Sequence, residues 1–279
     1  MKKQFVKLLS IINLILLIAC SNSTNNSGVS DNSSYQNVIL VQGALDIEVD
    51  TLISALEDKK TERYASWVFH IGTINGKNGK NKVIVSRTEV GLVNASVATT
   101  IGIEKYKPTL IINQGTAGAH DPMLDVGDIV IGTNIVNMGS FTSERTLTSD
   151  QKNWKFMDAP QRLRDENDNF ITNMRFYSTP EYVTIAKSVS YTNGNLVEGT
   201  IGSADQWNRE AERINMLHSI FGTSAEEMET SAVAQVALAF KVPFLGIRVL
   251  SNAELHGGNY NPDTATWCNN YVIDIIKSL

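Results

Sequence analysis

A short apolar run, a glycine turn and a helical stripe follow one another near residue 38, and this unit constrains the fold more than any other stretch. Residues 38–41 read VILV, a run rich in β-branched side chains that ends just before Gly43. A continuous apolar run of this length predicts a strand buried on both faces. Residues 46–56 then carry apolar side chains at helical spacing. The unit therefore predicts an α/β protein whose first strand leads directly into a helix.

The remaining chain of 279 residues continues this alternation, and its length suits one large α/β domain or two small ones. Strands are predicted at 67–74, 82–87, 109–113, 126–131, 196–203 and 244–250, and helices at 91–106, from 180 onward and at 262–279. Residues 114–119, QGTAGA, predict a small-residue loop that allows a ligand to approach the backbone. Residues 142–178 are polar and rich in aromatic side chains, and we interpret them as a surface excursion, either a lid or a subunit contact.

Two groups of acids mark a candidate site. Glu226, Glu227 and Glu229 lie where we expect a loop to enter an apolar helix. They could be a solvated acidic helix start, stabilised by the helix dipole. Alternatively they are buried, and then each needs a partner because an unpaired buried charge is costly. Glu48 follows the first strand, and ligands bind at the carboxyl ends of strands in open α/β sheets. Taken alone, an acid at this position is more often a surface acid that interacts with the helix dipole.

Composition excludes several classes of function. The net charge is -5 and the pI is about 5.4, so a nucleic-acid partner is not expected. The two cysteines, Cys20 and Cys268, are too far apart in sequence to indicate a disulfide framework or a zinc site. The four histidines are scattered without ligand spacing, so we predict no metal and no cofactor.

The first 36 residues are typical of a targeting signal and a linker rather than of a folded domain. A basic start and a short apolar run over residues 1–19 are typical of a secretory signal. Residues 17–21, LIACS, resemble the bacterial lipoprotein cleavage box, which makes Cys20 the expected lipidation site; a cleaved signal with an incidental cysteine is the alternative. The Ser/Asn-rich residues 20–36 predict a flexible tether, and 37–279 the folded domain. We therefore expect a membrane-anchored lipoprotein, periplasmic or at the cell surface.

Five motifs in order and spacing then indicate a family. They are residues 43–49 (GALDIEV), 113–118 (NQGTAG), 126–130 (VGDIV), 227–232 (EMETSA) and 248–252 (RVLSN). Together they resemble the bacterial 5'-methylthioadenosine/S-adenosylhomocysteine nucleosidases of the purine nucleoside phosphorylase superfamily, over about residues 37–279. The resemblance implies a single-domain, three-layer α/β/α fold with a mixed, twisted central sheet. It also implies a homodimer that hydrolyses the N-ribosidic bond of a purine nucleoside.

The same resemblance implies roles for individual residues. Glu48 would polarise the attacking water and Glu229 would bind the ribose hydroxyls. Trp207 would stack on the purine and the backbone of Asn208 would contact its edge. The other residues implied to contact sugar or base are Val90, Thr116, Ala117, Gly118, Glu227, Met228 and Ser251. These residue types suit the reaction, because a carboxylate stabilises the positive charge that develops on the sugar and a second carboxylate accepts a proton from water.

Two positions bear on the reaction type. Bacterial phosphorylases of this superfamily carry arginines where this chain has Asn113 and Ile47, so hydrolysis is favoured over phosphorolysis. The family's acid at the purine N7 is an aspartate, and this chain has Asn252. An amide can hydrogen-bond a purine edge but cannot deliver a proton. Three alternatives therefore stay open at this point: an adenosine-type nucleosidase, a 6-oxopurine (inosine-type) nucleosidase, and a catalytically weak, surface-anchored binding protein (adhesin).

Overall fold

The computed structural model describes residues 34–143, 145, 154–157, 161–173 and 175–279. The predicted signal peptide, the lipidation site Cys20 and most of the predicted tether lie outside these residues. The described residues belong to one compact unit. None of the helices in this part of the chain is long and apolar enough to cross a bilayer.

The described chain contains both strands and helices, as the sequence predicts. The strands are β1 (Val38–Gly43), β2 (Glu57–Tyr64), β3 (Trp67–Gly76), β4 (Gly79–Arg87), β5 (Leu110–Ala119), β6 (Ile129–Asn137), β7 (Phe141–Ser143), β8 (Trp154–Phe156), β9 (Gln161–Arg164), β10 (Phe170–Asn173), β11 (Phe176–Tyr177), β12 (Leu196–Ser203), β13 (Thr223–Glu227) and β14 (Phe244–Asn252). The helices are α1 (Asp50–Ser54), α2 (Leu92–Tyr106), α3 (Pro180–Ser188), α4 (Ala211–Phe221), α5 (Thr230–Ala239) and α6 (Asp263–Ser278).

A ten-stranded mixed sheet forms the middle of the described unit. Its order is β11-β6-β12-β13-β5-β1-β4-β3-β2, and β14 pairs with both β5 and β6. The central pairs β4-β1, β1-β5 and β5-β14 are parallel, whereas β13 runs antiparallel to β5. Parallel central strands need both faces covered, which agrees with their continuous apolar runs.

Helices cover the sheet on both sides, which confirms the predicted α/β/α class. One apolar cluster joins α1, α3 and α6 to one face, and a second joins α2 and α5 to the other. The small residues of α2 allow a close approach to the sheet. A Cβ at Gly102 would lie 2.6 Å from a methyl carbon of Leu40 in β1, so a larger residue there would push the helix away.

Several elements differ from those predicted. The helix expected at 46–56 is a 3-10 turn, Asp46–Glu48, followed by the short α1. The helix cannot start earlier because the Glu48 carboxylate folds back to accept hydrogen bonds from the N–H groups of Ala44 and Leu45. The loop expected at 114–119 is the second half of β5, where the chain pairs with β13 and β14. Strand β6 begins at Ile129, three residues later than predicted.

The sequence prediction also missed several elements and misplaced the acids. Strand β2 is a charged edge strand and α4 is a surface helix; neither was predicted. Glu226 and Glu227 lie in the buried strand β13 rather than in a loop. Within 142–178, the described residues form short hairpins and β11, and none of them lines the cavity described below. That described part therefore gives no support to a lid.

Candidate active site

A cavity of about 340 Å³ opens where β1, β5, β13 and β14 end near one another. Its described lining comprises Ala44, Leu45, Glu48, Val90, Thr116, Ala117, Gly118, Gln206, Trp207, Glu226, Glu227, Met228, Glu229, Ser251, Asn252 and Tyr260. Of the residues that the sequence predicted to form the site, all except Asn208 line this cavity. Their individual roles remain predictions.

Glu48 is fixed at one wall of the cavity by four hydrogen bonds. Its Oε2 accepts from the N–H groups of Ala44 (2.8 Å) and Leu45 (3.1 Å). Its Oε1 accepts from both the N–H and the hydroxyl of Thr116, each at 2.7 Å. Gly115 makes room for this arrangement, because a Cβ there would lie 2.8 Å from Glu48 Oε1. A carboxylate held this firmly presents one orientation to the cavity.

Glu229 lies at the N-terminus of α5, where it precedes the first helical residue. Its Oε1 accepts a hydrogen bond from the N–H of Gly91 at 2.9 Å, and it is only 6 % exposed. Burial, together with the negative charge of Glu227, raises the pKa of Glu229 to about 8, against the opposing effect of Arg248. Near neutral pH Glu229 is therefore largely protonated in this structure.

Glu227 and Arg248 form a buried ion pair behind the cavity. Arg248 Nη2 donates to Glu227 Oε2 at 2.5 Å, and Ser203 Oγ and the N–H groups of Glu229 and Thr230 also donate to the Glu227 carboxylate. Burial alone would raise the pKa of Glu227. The charge of Arg248 and these hydrogen bonds outweigh burial and hold that pKa below its usual range. The neighbouring acids therefore differ in protonation because their partners differ.

Asn252 and Glu226 flank Gly118 at the other end of the cavity. Both residues are paired in register with Gly118, Asn252 from β14 and Glu226 from β13. Directly opposite residues project to the same face of a sheet, so the two polar side chains border the open space above the glycine. Trp207 also lines the cavity and is 65 % exposed. A flat apolar ring beside hydrogen-bonding side chains is suited to bind a heterocyclic base.

Asn208 does not line the cavity. Its backbone N–H donates to Glu226 Oε1 at 2.7 Å, and its side-chain amide donates to Glu226 Oε2. The predicted contact of its backbone with a base edge stays a prediction.

Sequence reasoning gave no role to five lining residues and to the buried arginine. Ala44, Leu45, Gln206 and Tyr260 line the cavity without having been predicted, and Glu226 was noted only as one of the clustered acids. Arg248 was quoted in a motif but given no role, although it is 1 % exposed and lies against two of the acids. Glu226 could have been found by following the period of two along residues 223–227, had that stretch been predicted as a strand.

The described lining contains four carboxylates and no lysine or arginine. Asn113, at one of the two positions where the phosphorylases carry arginine, is fully buried and accepts hydrogen bonds from Arg248 and Thr230. Ile47, at the other position, lies on the surface and is also uncharged. Phosphate binding needs cationic or oriented N–H donors, so this set of residues suits water better than phosphate as the attacking group.

Comparison with known proteins agrees with this geometry. The family model described as the phosphorylase superfamily matches residues 38–275, which is most of the chain. The chain belongs to the phosphorylase superfamily.

Curated relatives place this member of the superfamily in one family within it, the 5'-methylthioadenosine/S-adenosylhomocysteine nucleosidases. It is 34 % identical to that nucleosidase from Psychromonas ingrahamii over 247 residues, covering 85 % of this chain and 97 % of the relative. It is 30 % identical to the nucleosidase from Bacillus cereus (strain G9842) over 253 residues, with coverage of 86 % and 99 %.

Solved structures of this family share the fold. The nucleosidase from Neisseria meningitidis, in complex with methylthio-immucillin-A, has a TM-score of 0.70 and 25 % identity and covers 87 % of this chain and 99 % of its own. The nucleosidase from Colwellia psychrerythraea, in complex with adenine, has a TM-score of 0.70 and 26 % identity, with coverage of 88 % and 97 %.

Proposed function

We propose that this phosphorylase-superfamily member is a purine nucleosidase that hydrolyses the N-ribosidic bond of 5'-methylthioadenosine and S-adenosylhomocysteine and releases adenine. The relatives that it matches at 30 % identity or more over most of its length carry the name of that activity. The observation that carries the proposal is the pair of buried carboxylates, Glu48 and Glu229, lining one cavity whose described wall holds no lysine or arginine.

The two carboxylates differ in a way that suits this hydrolysis. Glu48, held by backbone N–H groups, is positioned to take a proton from water that attacks the anomeric carbon. Glu229 hydrogen-bonds the ribose hydroxyls. When it ionises, its negative charge stabilises the oxocarbenium-like sugar of the transition state. Water enters as the nucleophile and gives a proton to Glu48, the C–N bond breaks with its electron pair going to the purine, and the purine takes its proton from solvent water.

Asn252 receives the leaving base at its N7 edge. Its amide lies beside Ser251, whose hydroxyl donates to Ala117 O at 3.2 Å and to Asn252 Oδ1 at 3.3 Å. Because an amide donates a hydrogen bond without transferring a proton, leaving-group activation is weaker than with a carboxylic acid. The inosine-type and adhesin alternatives are not favoured by the named relatives.

The test is release of free base by the purified chain in phosphate-free buffer. The panel comprises methylthioadenosine, S-adenosylhomocysteine, adenosine and inosine. We expect adenine from the first two, with no increase on adding phosphate. Release from inosine alone would contradict the proposed substrate, and absence of release from all four would contradict the activity.

We propose further that the chain is a homodimer. Leu45 and Val90, which line the cavity, and Val93, at the start of α2, are exposed apolar side chains, and exposed apolar surface is more typical of an interface than of a monomer surface. Light scattering after gel filtration should give twice the chain mass. Val93→Asp should shift that mass toward the monomer.

We also propose a lipid anchor at Cys20 and a location at a bacterial membrane. The support is the sequence alone: the apolar run, the LIACS box and the Ser/Asn-rich segment that follows it. Growth with a radiolabelled fatty acid should label the wild-type chain. Cys20→Ser should abolish the label and move the protein to the soluble fraction.

A further inference from the structure

Glu226 is a buried carboxylate that the proposed reaction does not use. It lines the cavity, is 6 % exposed, and lies in β13 next to the acids that carry the chemistry. A buried carboxylate without partners would be strongly destabilising. Its partners therefore indicate what it does.

Those partners are Asn208, in the loop 204–210, and His120, which directly follows β5. Asn208 donates twice, from its N–H to Oε1 at 2.7 Å and from its side-chain amide to Oε2. His120 Nε2 lies 2.9 Å from Oε2, as a close contact rather than an aligned hydrogen bond. His120 is itself held, since its Nδ1 lies 2.9 Å from Thr223 Oγ1.

The loop 204–210 has no helix or strand of its own, so its position depends on such contacts. The loop begins at Ala204, whose N–H donates to Glu227 O at 3.1 Å, and it is also held at Asp205, whose Oδ1 accepts from the N–H of Leu92. Near its other end Arg209 pairs with Glu254. Between these points lies Trp207, which lines the cavity. The contact of the buried Glu226 carboxylate is with Asn208, the residue that directly follows that tryptophan.

We propose that Glu226, supported by His120, is a positioning residue that fastens the loop 204–210 and thereby holds Trp207 over the base. This inference rests on the proposed function for the identity of the base. Glu226 acts through Asn208 rather than on the reacting atoms. Its loss should weaken binding of the base much more than it slows the chemical step.

The test is a donor–acceptor reversal. Glu226→Leu removes the acceptor of Asn208, and Asn208→Asp places two carboxylates against each other. Each single change should raise the Kd of adenine and the KM for methylthioadenosine about tenfold, with kcat within about threefold of wild type. The double variant Glu226→Gln/Asn208→Asp again faces an amide donor with a carboxylate acceptor, so its Kd and KM should return to within about threefold of wild type.

A second measurement separates positioning from direct contact. Hydrogen–deuterium exchange of the peptide spanning 204–210, in the protein without ligand, should speed up at least tenfold in each single variant and slow again in the double variant. Glu198→Gln, on the exposed face of β12, is the matched control and should change neither measurement. All proteins are compared as full chains, with thermal unfolding to verify that they are folded.

The outcomes distinguish the two proposals. A wild-type chain that binds adenine but cleaves no nucleoside would overturn the proposed function. The exchange rates and the adenine affinities of the variants would still test the positioning role of Glu226. Normal turnover with unchanged Kd, KM and exchange in the variants would overturn the positioning role alone. Weaker adenine binding with unchanged exchange would also overturn it, because Glu226 would then act by touching the base.

Discussion

Arg248 Nη2 lies 2.5 Å from Glu227 Oε2 and 3.7 Å from Glu229 Oε2, so one buried guanidinium serves two acids that differ in protonation. The first contact is a charge-assisted hydrogen bond, whereas the second is a longer electrostatic contact. The difference explains why the pKa of Glu227 is lowered while that of Glu229 is raised. The ion pair thus keeps one carboxylate charged and leaves the other free to change its protonation.

Removal of this guanidinium should destabilise the protein strongly. Arg248→Met keeps most of the side-chain volume but leaves Glu227 buried without its cation, at a cost of about 3–5 kcal/mol in the free energy of unfolding. Urea denaturation measures the loss. Arg164→Met is the control, since Arg164 pairs with Asp168 at the surface and its loss should cost less than about 1 kcal/mol. Equal losses in the two variants would contradict the structural role of the buried pair.

The raised pKa of Glu229 predicts a stability that falls as pH rises. In the folded state Glu229 holds its proton up to about pH 8, whereas in the unfolded chain it ionises near pH 4.5. Between these values the folded state binds more protons, so the free energy of unfolding decreases with pH, by at most about 5 kcal/mol in this window.

Glu229→Gln, a neutral isostere, should remove that decrease. The difference in unfolding free energy between variant and wild type should therefore grow from pH 5 to pH 8 and then level off. Glu227 has the opposite sign, because its lowered pKa makes its contribution disappear as pH falls, and it is present in both proteins. A difference that does not change between pH 5 and pH 8 would show that Glu229 is ionised throughout.

The sequence alone predicted the fold class and several elements, because local residue patterns determine these elements. Strand β12 was predicted with its observed bounds, Leu196–Ser203, and β1 at 38–41 lies within the observed strand. In β1 a run of β-branched residues is followed closely by a turn. This local pattern favours the buried strand that β1 also forms in the folded sheet. The resemblance supplied the arrangement of the sheet, which local patterns do not contain.

The differences arise where tertiary contacts override local preference. Glutamates at 226 and 227 disfavour a strand, yet β13 forms because Arg248, Ser203, His120 and Asn208 satisfy them. Residues 114–119 have the composition of a loop but pair with two neighbouring strands. The partners of Glu226 could not be predicted, because they come from sequence positions 18 and 106 residues away.

Glu48→Gln tests the proposed base. The amide can still accept from Thr116 but cannot take a proton, so kcat for methylthioadenosine should fall by about 10²–10⁴. Adenine binding should stay near the wild-type value, whereas thermal stability should fall, because the amide nitrogen then faces the N–H groups of Ala44 and Leu45 that the carboxylate accepted. Asp50→Asn, an exposed acid two residues further on, is the control and should keep full activity. Turnover of Glu48→Gln at the wild-type rate would exclude Glu48 as the base.

Gly115→Ala tests whether the orientation of Glu48 matters. The new methyl group would lie 2.8 Å from Glu48 Oε1 and would displace the carboxylate from Thr116. A displacement of about 1 Å is expected to lower kcat/KM roughly 10²-fold. Gly222→Ala also places alanine at a positive φ, +68°, but meets no atom within 4 Å. It controls for backbone strain, and a similar loss of activity in both variants would contradict the steric explanation.

Asn252→Asp tests whether proton delivery limits the reaction. The new carboxyl group would stand where Asn252 Nδ2 lies 3.4 Å from Glu254 Oε1, and two acids that close favour retention of a proton on one of them. That proton is the one that the leaving purine needs at N7. We therefore expect kcat for methylthioadenosine to rise about tenfold or more.

The matched control is Asn167→Asp, an exposed amide in the turn between β9 and β10, which should leave kcat unchanged. Single-turnover measurements verify that the chemical step changes, since faster product release would raise kcat without altering the first turnover. If Asn252→Asp lowers the single-turnover rate, the amide is suited to the base as it stands. Leaving-group activation by hydrogen bonding from Asn252 is then sufficient for this site.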